Sequence, residues 1–237
     1  MTAEAPTIVA TTMGFHRGGR RWTPGPVFAF AFELARAAER PRLCFVTTAG
    51  GDQPASIGGF YGAFAGTEVR TSHLALFDMP NVEDVREHLL SQDVIWVDRG
   101  SLVNLIAVWR AHGLDTIMRE CWEAGVVLAG ESAGSLCWHA GGVTDSFGPL
   151  VRPAEGLGLL PYGNAVHYLQ RRKRFHALMR EGALPSVGYT TESGAGLLYQ
   201  GTRLVEAIAD RPAATAYRVE CKDGRVEEQA LVPRRLA

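Results

Sequence analysis

One apolar run ending in a serine bracketed by glycines constrains this chain more than anything else in it. Val126-Val127-Leu128-Ala129 suits a buried parallel strand and runs straight into Gly130-Glu131-Ser132-Ala133-Gly134, a match to G-x-S-x-G. A serine on a sharp strand-to-helix turn is strained with its hydroxyl exposed, and only small neighbours let strand and helix pass so closely. The turn also sets the serine at a helix N-terminus, where free N–H groups and the dipole favour developing negative charge. Ser135 to Ala140 is helix-compatible and completes the strand–turn–helix pattern. The bland alternative is a glycine-rich tight turn with an idle serine.

The order of elements around this turn predicts an α/β fold. Apolar runs at Thr7–Thr11, Leu43–Thr47, Leu74–Phe77, Val94–Val97 and Val126–Ala129 read as strands. Between them lie helical patterns at Val27–Glu39, Val82–Leu90 and Leu102–Ala124, the last broken near Gly113. Asn81 reads as an N-cap, and Pro24 and Pro26 precede the first helix, where proline is tolerated. Ala49–Gly66 reads as loop plus short helix. This alternation implies a mostly parallel central sheet with helices on both faces. Its functional crevice would lie at the carboxyl ends of the strands, where Ser132 falls. After residue 146 the pattern loosens into late, partly antiparallel strands at Val187–Tyr189, Gly196–Tyr199, Ala214–Glu220 and Val226–Leu231. With no repeat, low-complexity tract or interdomain linker, residues 1–237 are expected to form one domain.

Charge narrows the partners. Lys and Arg number 24 against 25 Asp and Glu, so nothing favours nucleic acid or an anionic membrane. No apolar run approaches the roughly 20 residues that span a bilayer. MTAEAPTIVATTMG lacks the basic start and apolar centre of a secretory signal, so a cytoplasmic location is expected, as monomer or homodimer. The four cysteines are widely spaced and read as thiols of a reducing compartment. No H-E-x-x-H or clustered Cys/His spacing occurs, so neither metal nor cofactor is expected.

An activated serine needs a base, and seven histidines are available. His73, His88 and His112 fall where surface or capping roles are the default. His139 would lie about 10 Å along a helix from Ser132, too far for direct proton transfer. His167 sits in an apolar-to-loop transition and leads. His16, after the first strand, and His176, in a basic run expected to be solvated, stay open. The carboxylate that orients the imidazole has candidates in Asp145, Glu155, Glu181, Glu192 and Glu206. Glu192 stands at a strand end turning into a glycine loop, while Asp145 begins a turn that it can simply cap.

Three stretches carry a resemblance: Trp109 to Asp115, Trp122 to Gly134, and Gly156-Leu157-Gly158-Leu159-Leu160-Pro161 with Val166-His167-Tyr168. They are similar to the peptidase E family, serine-type aspartyl dipeptidases related to cyanophycinases and built on the class I glutamine amidotransferase (flavodoxin-like) fold. The similarity runs from about Thr7 to Glu220. The resemblance implies hydrolysis of small peptides with N-terminal aspartate. It makes Ser132 the nucleophile, His167 the base and Glu192 the acid, with Asp145 as the alternative acid. It also implies arginines for the substrate carboxylate shortly after the histidine, matched best by Arg171 and Arg174, although a basic helix face is usually just solvated.

One departure stands out. Where the family has a glycine-rich loop that completes the oxyanion hole, this chain reads Val97-Asp98-Arg99-Gly100-Ser101. The expected donors are the Ala133 N–H and that of Gly100 or Arg99. Replacing glycines strains the loop wherever φ must be positive. The outcomes are a modified hole, a changed substrate with Asp98 or Arg99 facing the pocket, or a weakened enzyme. The chain order Ser, His, Glu also differs from lipase-like α/β-hydrolases, whose acid precedes the histidine. Two competitors remain: an amidotransferase-like hydrolase of another small amide or ester, and a non-catalytic binding protein on the same scaffold.

Overall fold

The computed structural model describes residues 3–19, 21–37 and 39–237. In chain order the strands begin β1 (Thr7–Thr11), β2 (Phe15–His16), β3 (Thr23–Pro24), β4 (Arg42–Val46), β5 (Arg70–Leu74), β6 (Val94–Val97), β7 (Val127–Glu131) and β8 (His139–Thr144). They continue as β9 (Arg152–Ala154), β10 (Leu160–Val166), β11 (Val187–Thr191), β12 (Ala195–Gln200), β13 (Arg203–Ala209), β14 (Ala216–Lys222), β15 (Arg225–Leu231) and β16 (Arg234–Arg235). The helices are α1 (Pro26–Leu34), α2 (Pro54–Phe64), α3 (Val85–Leu90), α4 (Leu102–Ala111), α5 (Leu114–Glu123), α6 (Ala133–Leu136) and α7 (Tyr168–Arg180).

Continuous apolar runs make the middle of the larger sheet. Leu43-Cys44-Phe45-Val46 of β4 and all of β6 are buried on both faces, as parallel strands between helices must be. The sheet has eight strands in the order β16-β13-β12-β1-β7-β6-β4-β5. From β1 to β5 the pairs are parallel, and β12 joins β1 antiparallel. Because side chains alternate, Val9, Phe45 and Trp96 pack with Phe28 of α1 and Phe60 of α2. Ile8, Cys44 and Ile95 pack on the other side with Trp109 of α4 and Met118 of α5. Helices on both faces fit the expected α/β class.

A second sheet of six strands runs β15-β14-β11-β10-β8-β9, with β10 parallel to both β8 and β11. α7 packs Tyr168, Phe175 and Leu178 against its Val143, Ala165 and Val219. Leu160, Val166 and Ala216 of this sheet join the core of the first, so the two sheets share apolar packing.

Several elements differ from the sequence expectation, each for a local reason. α1 stops at Leu34 because Arg36 turns to φ 54, and the rest of the expected helix runs over Ala38, outside the described residues. The strand expected at Leu74–Phe77 is instead Arg70–Leu74. The N–H groups of Leu76 and Phe77 leave the ladder and donate to the Asp52 carboxylate at 2.6 and 3.1 Å. Asp84, not Asn81, caps α3 by accepting from the Glu87 N–H at 2.9 Å. Asn81 accepts from the Ala75 N–H at 2.8 Å and folds that loop. The helix expected over Ser135–Ala140 is only Ala133–Leu136, after which His139 starts β8. Leu102–Ala124 divides at Gly113, where φ is 70, as the break predicted.

Candidate active site

Ser132 stands between β7 and α6 at φ 60 and ψ −107, the strained turn that its sequence implies. The flanking glycines are there because nothing larger fits. A Cβ on Gly134 would lie 2.0 Å from the Val97 carbonyl oxygen, and one on Gly130 would lie 2.6 Å from the same atom. The Ser132 N–H donates to the Thr11 carbonyl at 3.0 Å, which ties the turn to the end of β1.

His167 also has positive φ, at 51, between β10 and α7. Its Nδ1 shares a 2.9 Å hydrogen bond with Ser193 Oγ. Glu192 does not make that bond: its Oε1 accepts from the Leu169 N–H at 2.5 Å, capping the first turn of α7. Ser193 was not anticipated as the partner, although it lies next to the expected acid. Burial pushes the His167 pKa below the ordinary histidine value, with Arg171 and Arg99 acting in the same direction and Glu192 and Asp145 opposing.

One dipeptide ties the Ser132 turn to the loop that brings Ser193 to His167. Thr11 accepts from Ser132, while the Thr12 carbonyl accepts from the Gly194 N–H at 2.9 Å. Thr12 Oγ1 also bonds Thr191 Oγ1 at 2.5 Å. The ends of β1, β7 and β11 therefore converge, as the carboxyl ends of parallel strands do in such sheets.

The loop after β6 carries the expected donors. Its one positive-φ position is the retained glycine, Gly100 at φ 149, whose added Cβ would lie 2.2 Å from the Ala49 carbonyl oxygen. Asp98 and Arg99 therefore replace glycines without the strain that the sequence raised. Among the described residues the N–H groups of Arg99 and Gly100 meet no acceptor, and Ala133 is the first residue of α6, where no intrahelical acceptor exists. Asp98 is 2% exposed, turned inward onto Arg17, which also lies 3.4 Å from Glu131 and stacks 4.2 Å over the Trp22 ring. Burial raises the Glu131 pKa, and Arg17 opposes it. This clamp behind the Ser132 turn had no sequence signal, because Arg17 comes from the distant β2–β3 hairpin.

The remaining candidates lie elsewhere or are already engaged. Arg171 donates to the Val143 carbonyl at 3.0 Å and to Asp145 at 3.1 Å, with 12% of its side chain exposed. Arg174 reaches the Val151 carbonyl at 3.4 Å and Glu181 at 3.5 Å. His176 is not solvated: Tyr168 Oη lies 2.7 Å from its Nε2 and Glu228 3.4 Å away. His139 is buried under α6, donating from Nδ1 to the Ser135 carbonyl at 2.9 Å, with its pKa held down to about 4. His16 is exposed in β2. Cys44, Cys121 and Cys137 are buried thiols. Among the described residues no His, Cys, Asp and Glu group could hold a metal ion. No helix there is long and apolar enough to cross a membrane.

Comparison with known proteins agrees with this architecture. A peptidase from an acI-B1 Actinobacterium superposes with a TM-score of 0.70 at 16% identity, covering 97% of this chain and 95% of its own. A putative peptidase E protein from Listeria monocytogenes EGD-e gives 0.59 at 14% identity, over 86% and 98%. At that identity these likenesses concern the fold. In sequence, an uncharacterized peptidase, YgaJ, from Bacillus subtilis (strain 168) is 40% identical over 196 residues, 81% of this chain and 84% of the relative. The model of peptidase family S51 matches residues 29–207, and the chain belongs to that family, as the resemblance to peptidase E implied.

Proposed function

We propose that this chain is a serine-type dipeptidase that hydrolyses peptides with N-terminal aspartate. His167 takes the Ser132 proton as the hydroxyl attacks the peptide carbonyl, giving an acyl-enzyme that water then hydrolyses. The N–H of Ala133, with that of Arg99 or Gly100, binds the tetrahedral oxyanion. Ser193 fixes the imidazole ring through Nδ1, and Glu192 supplies the negative charge that steadies the imidazolium, with Asp145 as a second carboxylate in range. An arginine near His167 reads the aspartyl carboxylate. The observation that carries the reading is Ser132 itself: strained, partly exposed, and set beside N–H groups with no acceptor. A fluorophosphonate probe tests it. Labelling of the unaltered chain and none of Ser132→Ala is expected. Equal labelling of the two removes the nucleophile assignment and favours the non-catalytic alternative.

A further inference from the structure

Arg17, Arg171, Arg174 and Arg211 are each engaged within the protein. Arg17 is drawn onto Asp98 under Trp22, and Arg171 is spent on Val143 and Asp145. Arg174 reaches Val151 and Glu181, and Arg211 lies 3.4 Å from Asp210. Arg99 differs. It is exposed, and among the described residues its guanidinium makes no ion pair or hydrogen bond. Among the described residues its own N–H and that of Gly100 lack acceptors, and Asp98, its neighbour, is turned away into the protein. Its loop packs on the Ser132 turn, since the Val97 carbonyl two residues before it is the atom that a Cβ on Gly130 or Gly134 would meet, and the charge of Arg99 reaches both His167 and Glu131.

We propose that Arg99 is the carboxylate-binding residue of the crevice, its fork of donors gripping a carboxylate of the bound peptide beside the scissile carbonyl. A guanidinium suits this role because its paired donors match a carboxylate in the plane, and Arg99 keeps all five donors available. Arg171, by contrast, would have to break two bonds within the protein to reach a substrate. The inference rests on the peptidase reading above. A dipeptide carries two carboxylates that could fill the grip, one on the aspartyl side chain and one at the C-terminus.

The test compares cleavage of Asp-Leu, Asn-Leu and Asp-leucinamide by the full chain and by its Arg99→Ala, Arg99→Glu and Arg171→Ala variants. Fluorophosphonate labelling of Ser132 is read separately. The unaltered chain should prefer Asp-Leu over one of the two analogues by roughly 10- to 100-fold in kcat/KM. Which analogue fails identifies the carboxylate. Arg99→Ala should bring that ratio to within about 3-fold, Arg99→Glu should invert it, and Arg171→Ala should retain the preference whatever it does to turnover. A ratio that survives Arg99→Ala, or equal cleavage of all three peptides by the unaltered chain, overturns the inference and leaves the peptidase reading standing. Absence of both labelling and cleavage overturns the two together.

Discussion

Ser132 and His167 both sit at positive φ where a strand meets a helix, yet different physics holds the two turns. The serine turn is fixed by backbone packed against backbone. Gly130 and Gly134 press on the Val97 carbonyl so closely that no side chain fits, and the Thr11 carbonyl takes the Ser132 N–H. The histidine turn is fixed by side chains: Glu192 on the Leu169 N–H, Ser193 on Nδ1, and the Asp145–Arg171 pair nearby. The first arrangement has no titratable part and tolerates no added carbon. The second tolerates substitution, but its charge state and orientation change with its partners. On the proposed function, a nucleophile must be placed, whereas a base must also be tuned, and the two turns divide along that line.

The largest effects should come from removing the proposed reacting groups. Ser132→Ala and His167→Ala should each lower turnover by about 10⁴-fold or more, since members of such a unit fail together. Both variants should keep their thermal unfolding temperature within a few degrees. Near-normal turnover in His167→Ala would end its role as base and return attention to His16. Gly134→Ala sharpens the contrast from the other side. Its Cβ would meet backbone, so it should destabilise the fold by about 3 kcal/mol or more and abolish labelling of Ser132. A Gly134→Ala protein with unchanged stability would show that the serine turn is softer than its packing implies.

The same division explains what the sequence could reveal. The serine turn depends on neighbours along the chain, an apolar strand and small residues at fixed offsets, so residues 126–134 announce it. β1, β4, β6 and β7 were legible for the same reason, being apolar runs buried on both faces. The second sheet was legible only in part. The expected late strands at Val187–Tyr189, Ala214–Glu220 and Val226–Leu231 match β11, β14 and β15. By contrast, β8 (HAGGVT) and β10 (LPYGNAV) contain glycine and lack clear alternation, and their pairing supplies the order that their sequences do not. At the histidine turn the residue could be picked out, but its partners could not. Ser193 and Glu192 arrive from a strand end far along the chain, and which of them meets Nδ1 is set by how β11 packs beside β10. The inward turn of Asp98 likewise depends on Arg17, a long-range contact invisible to spacing.

Smaller effects should separate the histidine's partners. Glu192→Ala removes the cap on α7 and should cost about 1 kcal/mol of stability. Glu192→Gln keeps an acceptor for the Leu169 N–H and should unfold like the parent while losing turnover, because only the charge is gone. Ser193→Ala should lower kcat by about tenfold, the scale of one lost orienting hydrogen bond, without moving the unfolding temperature. Asp145→Asn should do least, since that carboxylate is largely exposed and already shared with Arg171. Should Asp145→Asn prove more damaging to turnover than Glu192→Gln, the acid assignment passes to Asp145.

The smallest effect is a shift of pH dependence, and its sign follows from the charges around one ring. Only neutral imidazole accepts the serine proton, so kcat/KM should rise with pH along a single limb set by His167. Burial disfavours the charged ring and is the main cause of its lowered pKa, so the midpoint should lie below the ordinary histidine value of 6.5. Arg171 acts in the same direction, and Glu192 and Asp145 pull the other way. Glu192→Gln removes an attraction for the imidazolium and should move the limb further down. Arg171→Ala removes a repulsion, frees Asp145 from its partner, and should move it up. Ser193 carries no charge and holds the ring only through Nδ1, so Ser193→Ala should change the height of this limb more than its position. A limb that Glu192→Gln raises, or one centred above the ordinary value, would mean that the titrating group is not a half-buried His167 flanked by these charges.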